Sequence, residues 1–115
     1  MHKTLVAAIA LVAIAVPATA TAKGAAVRPV VVSITVVNGR PIGGIKRPSV
    51  KKGQTVRIVV RTNLGGKVHL HGYNVEKTVK KGVPTVIQLV ARIPGRFELE
   101  LHPTDSLLAQ LTVRP

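Results

Sequence analysis

Two stretches of this sequence carry residue types that could do chemistry: His69-x-His71, and Glu98-x-Glu100-x-His102. Imidazole nitrogens and carboxylate oxygens are the donors that hold zinc and Cu(II). Strand residues two apart point to the same side, so the rings of His69 and His71 could converge on one ion at the ~2.0–2.1 Å of a His–Zn bond. His102 would complete a three-nitrogen set, with Glu98, Glu100 or Asp105 as an oxygen donor. The plain alternative is that these are solvated histidines on an amphipathic strand. His102 shares the parity of Glu98 and Glu100, which faces it to solvent unless Pro103 bends it back.

Other chemistries are poorly served. The chain has no cysteine, which removes thiolate nucleophiles, iron–sulfur clusters and thiolate-ligated copper or zinc. Ser33, Ser49 and Ser106 sit in strand-like or turn-like settings, and none lies in a nucleophile elbow. The four acids, Glu76, Glu98, Glu100 and Asp105, form no isolated pair in a recognisable cleft sequence. The Gly-Gly pairs open no helix, so no phosphate-cradling loop is implied. Nothing here asks for an enzyme.

Several elements must hold the donors in place. Lys67 to Tyr73 alternates, with Val68 and Leu70 on one face and the histidines on the other. Arg96 to Leu101 alternates too, with Phe97, Leu99 and Leu101 inward. Phe97 reads as the central core aromatic, so that Phe97→Ala would cost about 3–5 kcal/mol. Val30 to Val37 and Thr55 to Thr62 are β-branched strands that bury Val32, Ile34, Val36, Val56, Ile58 and Val60. Ile45 to Val50 crosses between sheets, and Asn74 to Val79 is a short strand. Val83 to Arg92 turns Ile87, Leu89, Ala91 and Ile93 inward, and Leu107 to Val113 turns Leu107, Ala109, Leu111 and Val113 inward. Asn38-Gly39, Lys52-Gly53, Lys80-Lys81-Gly82 and Pro94-Gly95 are the turns. No window keeps helical spacing. Strands at this interval predict an all-β domain, a single Greek-key β-sandwich of about seven strands.

The N-terminus reads differently. A basic start, Met1-His2-Lys3, precedes an apolar run from Leu5 to Val16, then Pro17 and the small residues Ala18-Thr19-Ala20-Thr21-Ala22. The pattern predicts a signal peptide over residues 1–22, cleaved after Ala22 or after Ala20. The run is short of the ~20 residues that span a bilayer, so no membrane span is expected after cleavage. The 115 residues less those 22 leave 93, enough for one small domain over residues 23–115. Losing Lys3 lowers the net charge of +13 by one. So basic an exported chain suits an envelope protein or an anionic polymer or membrane surface as partner, or its charge simply keeps it soluble. Nucleic acid is not expected, because Tyr73 and Phe97 are the only aromatics on which bases could stack.

The motifs Pro48-Ser49-Val50-Lys51-Lys52-Gly53-Gln54-Thr55-Val56, Val68-His69-Leu70-His71-Gly72-Tyr73, Ile93-Pro94-Gly95-Arg96-Phe97-Glu98-Leu99-Glu100-Leu101-His102 and Leu111-Thr112-Val113 resemble the cupredoxin-like domains of exported bacterial proteins of actinobacterial type. The resemblance covers nearly the whole chain beyond the leader. It implies a sandwich whose blue-copper site would draw a first histidine from His71 or His69 and a cysteine at Leu101. His102 would stand near the second histidine, out of register, and a methionine would fall near Leu107 or Leu108. Leucine can supply neither the thiolate nor the axial thioether. A blue-copper electron carrier is therefore excluded, and the blue-copper site is degenerate.

These readings make the chain an exported binding or structural module, located in the periplasm, cell envelope or medium, and not an enzyme. No cofactor is then required. Copper or zinc on His69, His71 and His102 is the first alternative, and a basic adaptor for anionic envelope polymers or membrane is the second.

Overall fold

The structure, a computed structural model, describes residues 2–17 and 28–115. Residues 2–17 carry no regular secondary structure and are exposed, and no helix among the described residues is long and apolar enough to cross a membrane. Both expected cleavage positions lie outside the described residues.

Nine strands follow: β1 (Val30–Val37), β2 (Arg40–Pro41), β3 (Ser49–Lys51), β4 (Thr55–Thr62), β5 (Gly66–Leu70), β6 (Val75–Val79), β7 (Thr85–Val90), β8 (Gly95–His102) and β9 (Ser106–Arg114). Seven of them have five residues or more, and the short β2 and β3 are additions to the expected set. They form two sheets, ordered β2-β1-β4-β7 and β3-β9-β8-β5-β6. The segment between β2 and β3 crosses from one sheet to the other, as its broken pattern predicts, and Lys46 bridges to Ala109 on the way. β1 runs parallel to β4, and β3 parallel to β9; the remaining pairs are antiparallel.

Alternation built this sandwich. Every second residue of β1 and β4 is apolar, so both strands bury Val32, Ile34, Val36, Val56, Ile58 and Val60 against Val68, Leu70, Leu99, Leu101 and Leu111 of the other sheet. Each such side chain contributes about 1.5–3 kcal/mol by leaving water. The two sheets also meet edge to edge at β6 and β7, where Lys77 Nζ donates to the carbonyl of Val86 at 2.7 Å. That bond occupies a carbonyl on an edge strand open to further pairing.

Three inward assignments change. Phe97 is only half-buried and packs at the rim of the core, so the centre belongs to Leu70, Leu99 and Leu101 instead. Ile93 is 47% exposed, because the chain leaves β7 at Val90 and turns before β8 begins. Leu107 is half-buried while Leu108 is fully buried. The cause is a bulge: Leu99 pairs with Ala109 but Glu100 pairs with Leu107, so β9 carries one extra residue there. Leu108 drops into the core beside Ala109, and Leu107 moves to the outer face beside Glu100.

The bulge makes a direct prediction. Leu108→Ala should destabilise by about 2–5 kcal/mol in urea unfolding, as for a buried leucine. Leu107→Ala should stay nearer the ~1 kcal/mol of a typical substitution. Equal losses would restore the unbroken alternation.

Candidate metal centre

The register of β5 against β8 gathers the donors. His69 lies opposite Glu100, and Lys67 opposite His102. These residues point away from the core, because Val68, Leu70, Leu99 and Leu101 take the inner face. β5 ends at Leu70, so His71 stands in the turn that follows and not in the strand where its alternation put it. Its backbone N–H still donates to the Glu98 carbonyl at 3.0 Å, which keeps it in line with β8.

The three imidazoles come together. His69, His71 and His102 each offer a ring nitrogen, all within 4.8 Å of one another. The rings of His69 and His71 are 4.3 Å apart between centroids, and those of His69 and His102 6.5 Å. Nitrogens bound to one ion at ~2.0–2.1 Å stand roughly 3–4 Å apart, so small side-chain rotations would close the set. His69 and His102 are half-buried and His71 is exposed, which leaves an approach from solvent.

Two carboxylates complete the site. Glu100 Oε2 lies 3.3 Å from His71 Nε2 and 3.9 Å from His102 Nε2, beside two of the three imidazoles. Asp105 Oδ1 lies 2.6 Å from His102 Nδ1. An ionised carboxylate only accepts, so the ring proton is on Nδ1 and the neutral ring keeps its Nε2 lone pair on the Glu100 side. A carboxylate behind a histidine is the arrangement that fixes a ligand's tautomer and orientation. Of the acids expected as oxygen donors, Glu100 lies beside His71 and His102, and Asp105 stands behind His102. Glu98 stands one pleat further along β8, beside His71 and away from the trio's centre. Glu76, across β5 from His69, is held by Lys67 Nζ at 3.4 Å.

Leu101, at the cysteine position of the resemblance, is 2% exposed and points into the core. His102 and Glu100 are its neighbours in sequence but occupy the opposite face. The donor set is therefore a surface constellation, separate from the buried leucine.

Two glycines let the elements approach. A Cβ on Gly66 would run into the carbonyl oxygen of His102, and one on Gly72 into the ring of Phe97. Gly72 also has φ +84°, a left-handed conformation that glycine adopts at little cost. Next to it, Tyr73 packs edge-on against Phe97 at 4.7 Å. The Tyr73 hydroxyl donates to the Ile93 carbonyl and accepts from the Ile93 N–H, both at 3.0 Å. The tyrosine is thus a rim packing residue with a satisfied hydroxyl. It clamps the turn that carries His71.

No protein-family model and no curated protein matches the sequence. Among solved structures, the NMR solution structure of a copper-binding protein in its apo form is similar, with a TM-score of 0.59 and 15% identity. The match covers 73% of this chain and 86% of that one. At that identity, the shared property is the fold.

The glycine contacts are testable. Gly72→Ala should destabilise more than Gly43→Ala, since both have positive φ but only Gly72 lies against another group. Left-handed backbone alone costs a side chain roughly 1–2 kcal/mol. Chemical denaturation that gave equal losses for the two would deny the Phe97 contact.

Proposed function

We propose that the protein is an exported metal-binding module that holds Cu(II) or zinc on His69, His71 and His102, with Glu100 as the oxygen donor. The observation that carries this reading is the gathering of three ring nitrogens within 4.8 Å on one sheet face. The His102 Nδ1–Asp105 contact adds support, because it leaves Nε2 of that ring free to ligate. Three nitrogens and an oxygen suit either metal. The similarity in fold to a copper-binding protein favours copper. A bare scaffold, the plainer reading of the sequence, gives no account of why these donors converge.

The role is binding and handling of the metal, not catalysis. An ion held there would be a Lewis acid with imidazole partners. The chain's own contribution is to fix the rings, keep His102 in one tautomer and place one carboxylate among them. Export to the periplasm, cell envelope or medium is proposed from the basic start and the apolar run of residues 5–16. The cupredoxin-like kinship is proposed at the level of exported bacterial domains.

A second reading has its own observation. All four acids lie on β6, β8 or the β8–β9 turn, while the four-stranded sheet carries Arg40, Arg57 and Arg61 and no acid. That face suits an anionic envelope polymer or membrane surface, and such binding should collapse with added salt, since exposed charges are screened within ~8 Å at physiological ionic strength.

Calorimetric titration at neutral pH with Cu(II) and with Zn(II) tests the first reading. One-to-one binding tighter than about micromolar is expected, with its loss in His71→Ala. Asp105→Ala should weaken the metal about 10–100-fold, the usual effect of removing a partner behind a ligand. Acidification across the ~5–8 range in which histidine changes charge should also weaken it, because a ligating imidazole must be neutral. Weak heats without stoichiometry, equal in the wild type and His71→Ala, would sink the reading.

A further inference from the structure

Beside the trio lies a shallow open cleft of about 430 Å³, lined by His71, Gly72, Arg96, Phe97, Glu98 and Gln110. We propose that this cleft binds a dipeptide-sized amino-carboxylate, a small chelator that would bring the metal to the site or take it away. The inference rests on the metal-centre reading above.

The cleft meets the site at His71, which belongs to both. Gln110, Glu98 and His71 form one row across β9, β8 and the turn, because Glu98 pairs with Gln110 and its carbonyl accepts from the His71 N–H. Arg96 stands one pleat further along β8, roughly 6.7 Å from Glu98 along the strand. Its guanidinium and the Glu98 carboxylate share the outer face, yet neither joins an ion pair among the described residues. Gln110 Oε1 already accepts from Arg47 Nη1 at 2.7 Å. The orientation of its amide is thereby set, and its N–H₂ donors remain for a ligand.

An unpaired cation, two amide donors and an unpaired carboxylate in one cleft complement a ligand with an anionic end and an amine end. The ligand's carboxylate meets Arg96, where guanidinium geometry favours two parallel hydrogen bonds, and its peptide carbonyl accepts from the Gln110 amide. Its amine lies toward His71, with an N–H directed to Glu98. Two residues of extended chain span at most ~7 Å, which matches the spacing from the His71 row to Arg96. A single amino acid is too short to reach both ends. Gly72, with no side chain, and the Phe97 ring form the wall against which the short backbone lies.

The probe is glycylglycine, added to zinc-loaded protein and followed by the amide NMR shifts of Gly72, Glu98 and Gln110. Saturable one-site shifts are expected, with affinity about tenfold weaker for glycylglycinamide, which lacks the carboxylate. In Arg96→Gln that preference for the carboxylate should vanish. Zinc that stays bound while these shifts fail to saturate, or equal affinity for the two dipeptides in the wild-type protein, would overturn the inference and leave the metal centre standing. Zinc that is not held before any dipeptide is added would remove both.

Discussion

The antiparallel pairing of β5 with β8 is the constraint on which the rest of the molecule depends. Its register sets His69 against Glu100 and Lys67 against His102 on the outer face. The same register sets Val68 against Leu101 and Leu70 against Leu99 inside. One set of backbone hydrogen bonds therefore fixes both the middle of the core and the donor constellation. A slip by a single residue would send the leucines to water and the imidazoles into the sandwich, a change penalised on both faces. The burial of four large aliphatic side chains thus holds the histidines in register, although none of them touches a donor atom.

Electrostatics then shape what the core has positioned. A site that brings a nitrogen from each of three imidazoles within 4.8 Å becomes repulsive if the rings are protonated together. Glu100, placed near two of them, offsets that charge without metal and on the proposed reading would supply an oxygen with it. His71 Nε2 faces this carboxylate most closely, and a metal ligated there would require that nitrogen to be free of its proton. Asp105 plays a different part, since its contact with the far nitrogen of His102 biases the tautomer and leaves the near nitrogen free. The two acids thus divide the labour between compensation and orientation.

Much of this was legible in the sequence because alternation is a strong signal. The bounds of β1 and β4, the turn at Asn38-Gly39 and the outward side of His69 follow from a period of two. The all-β class was legible for the same reason, whereas parity left open whether His102 joins His69 and His71, since that depends on how the register of β5 against β8 falls. What alternation could not show is where it breaks. The extra residue in β9 swaps Leu107 and Leu108 between faces, and nothing local in Ser106-Leu107-Leu108-Ala109 marks the position. Phe97 was assigned to the centre from its parity, but its strand starts at Gly95, so its ring lies at the rim beside Gly72 and Tyr73. The role of Asp105 was hidden as well, since its side chain reaches His102 only because the β8–β9 turn folds it back, with Asp105 at φ +52°.

The placement of the donors bears on the kind of metal chemistry the fold can support. A blue-copper site works by burial and by a thiolate, whereas Leu101, at the position that the cupredoxin resemblance would give to the cysteine, is part of the core. A cysteine in place of Leu101 would have its sulfur on the inner face, across the sheet from His69 and His102. The imidazoles could not reach it without breaking the pairing that holds them. The outer face offers the opposite conditions: half-exposed rings, an acid close by and open access for an incoming ligand. Such a site can exchange its ion through mixed complexes with small ligands, whereas a buried one must open the protein to do so. On the proposed metal-binding reading, the sandwich serves to hold a register and the outer face to keep the donors accessible.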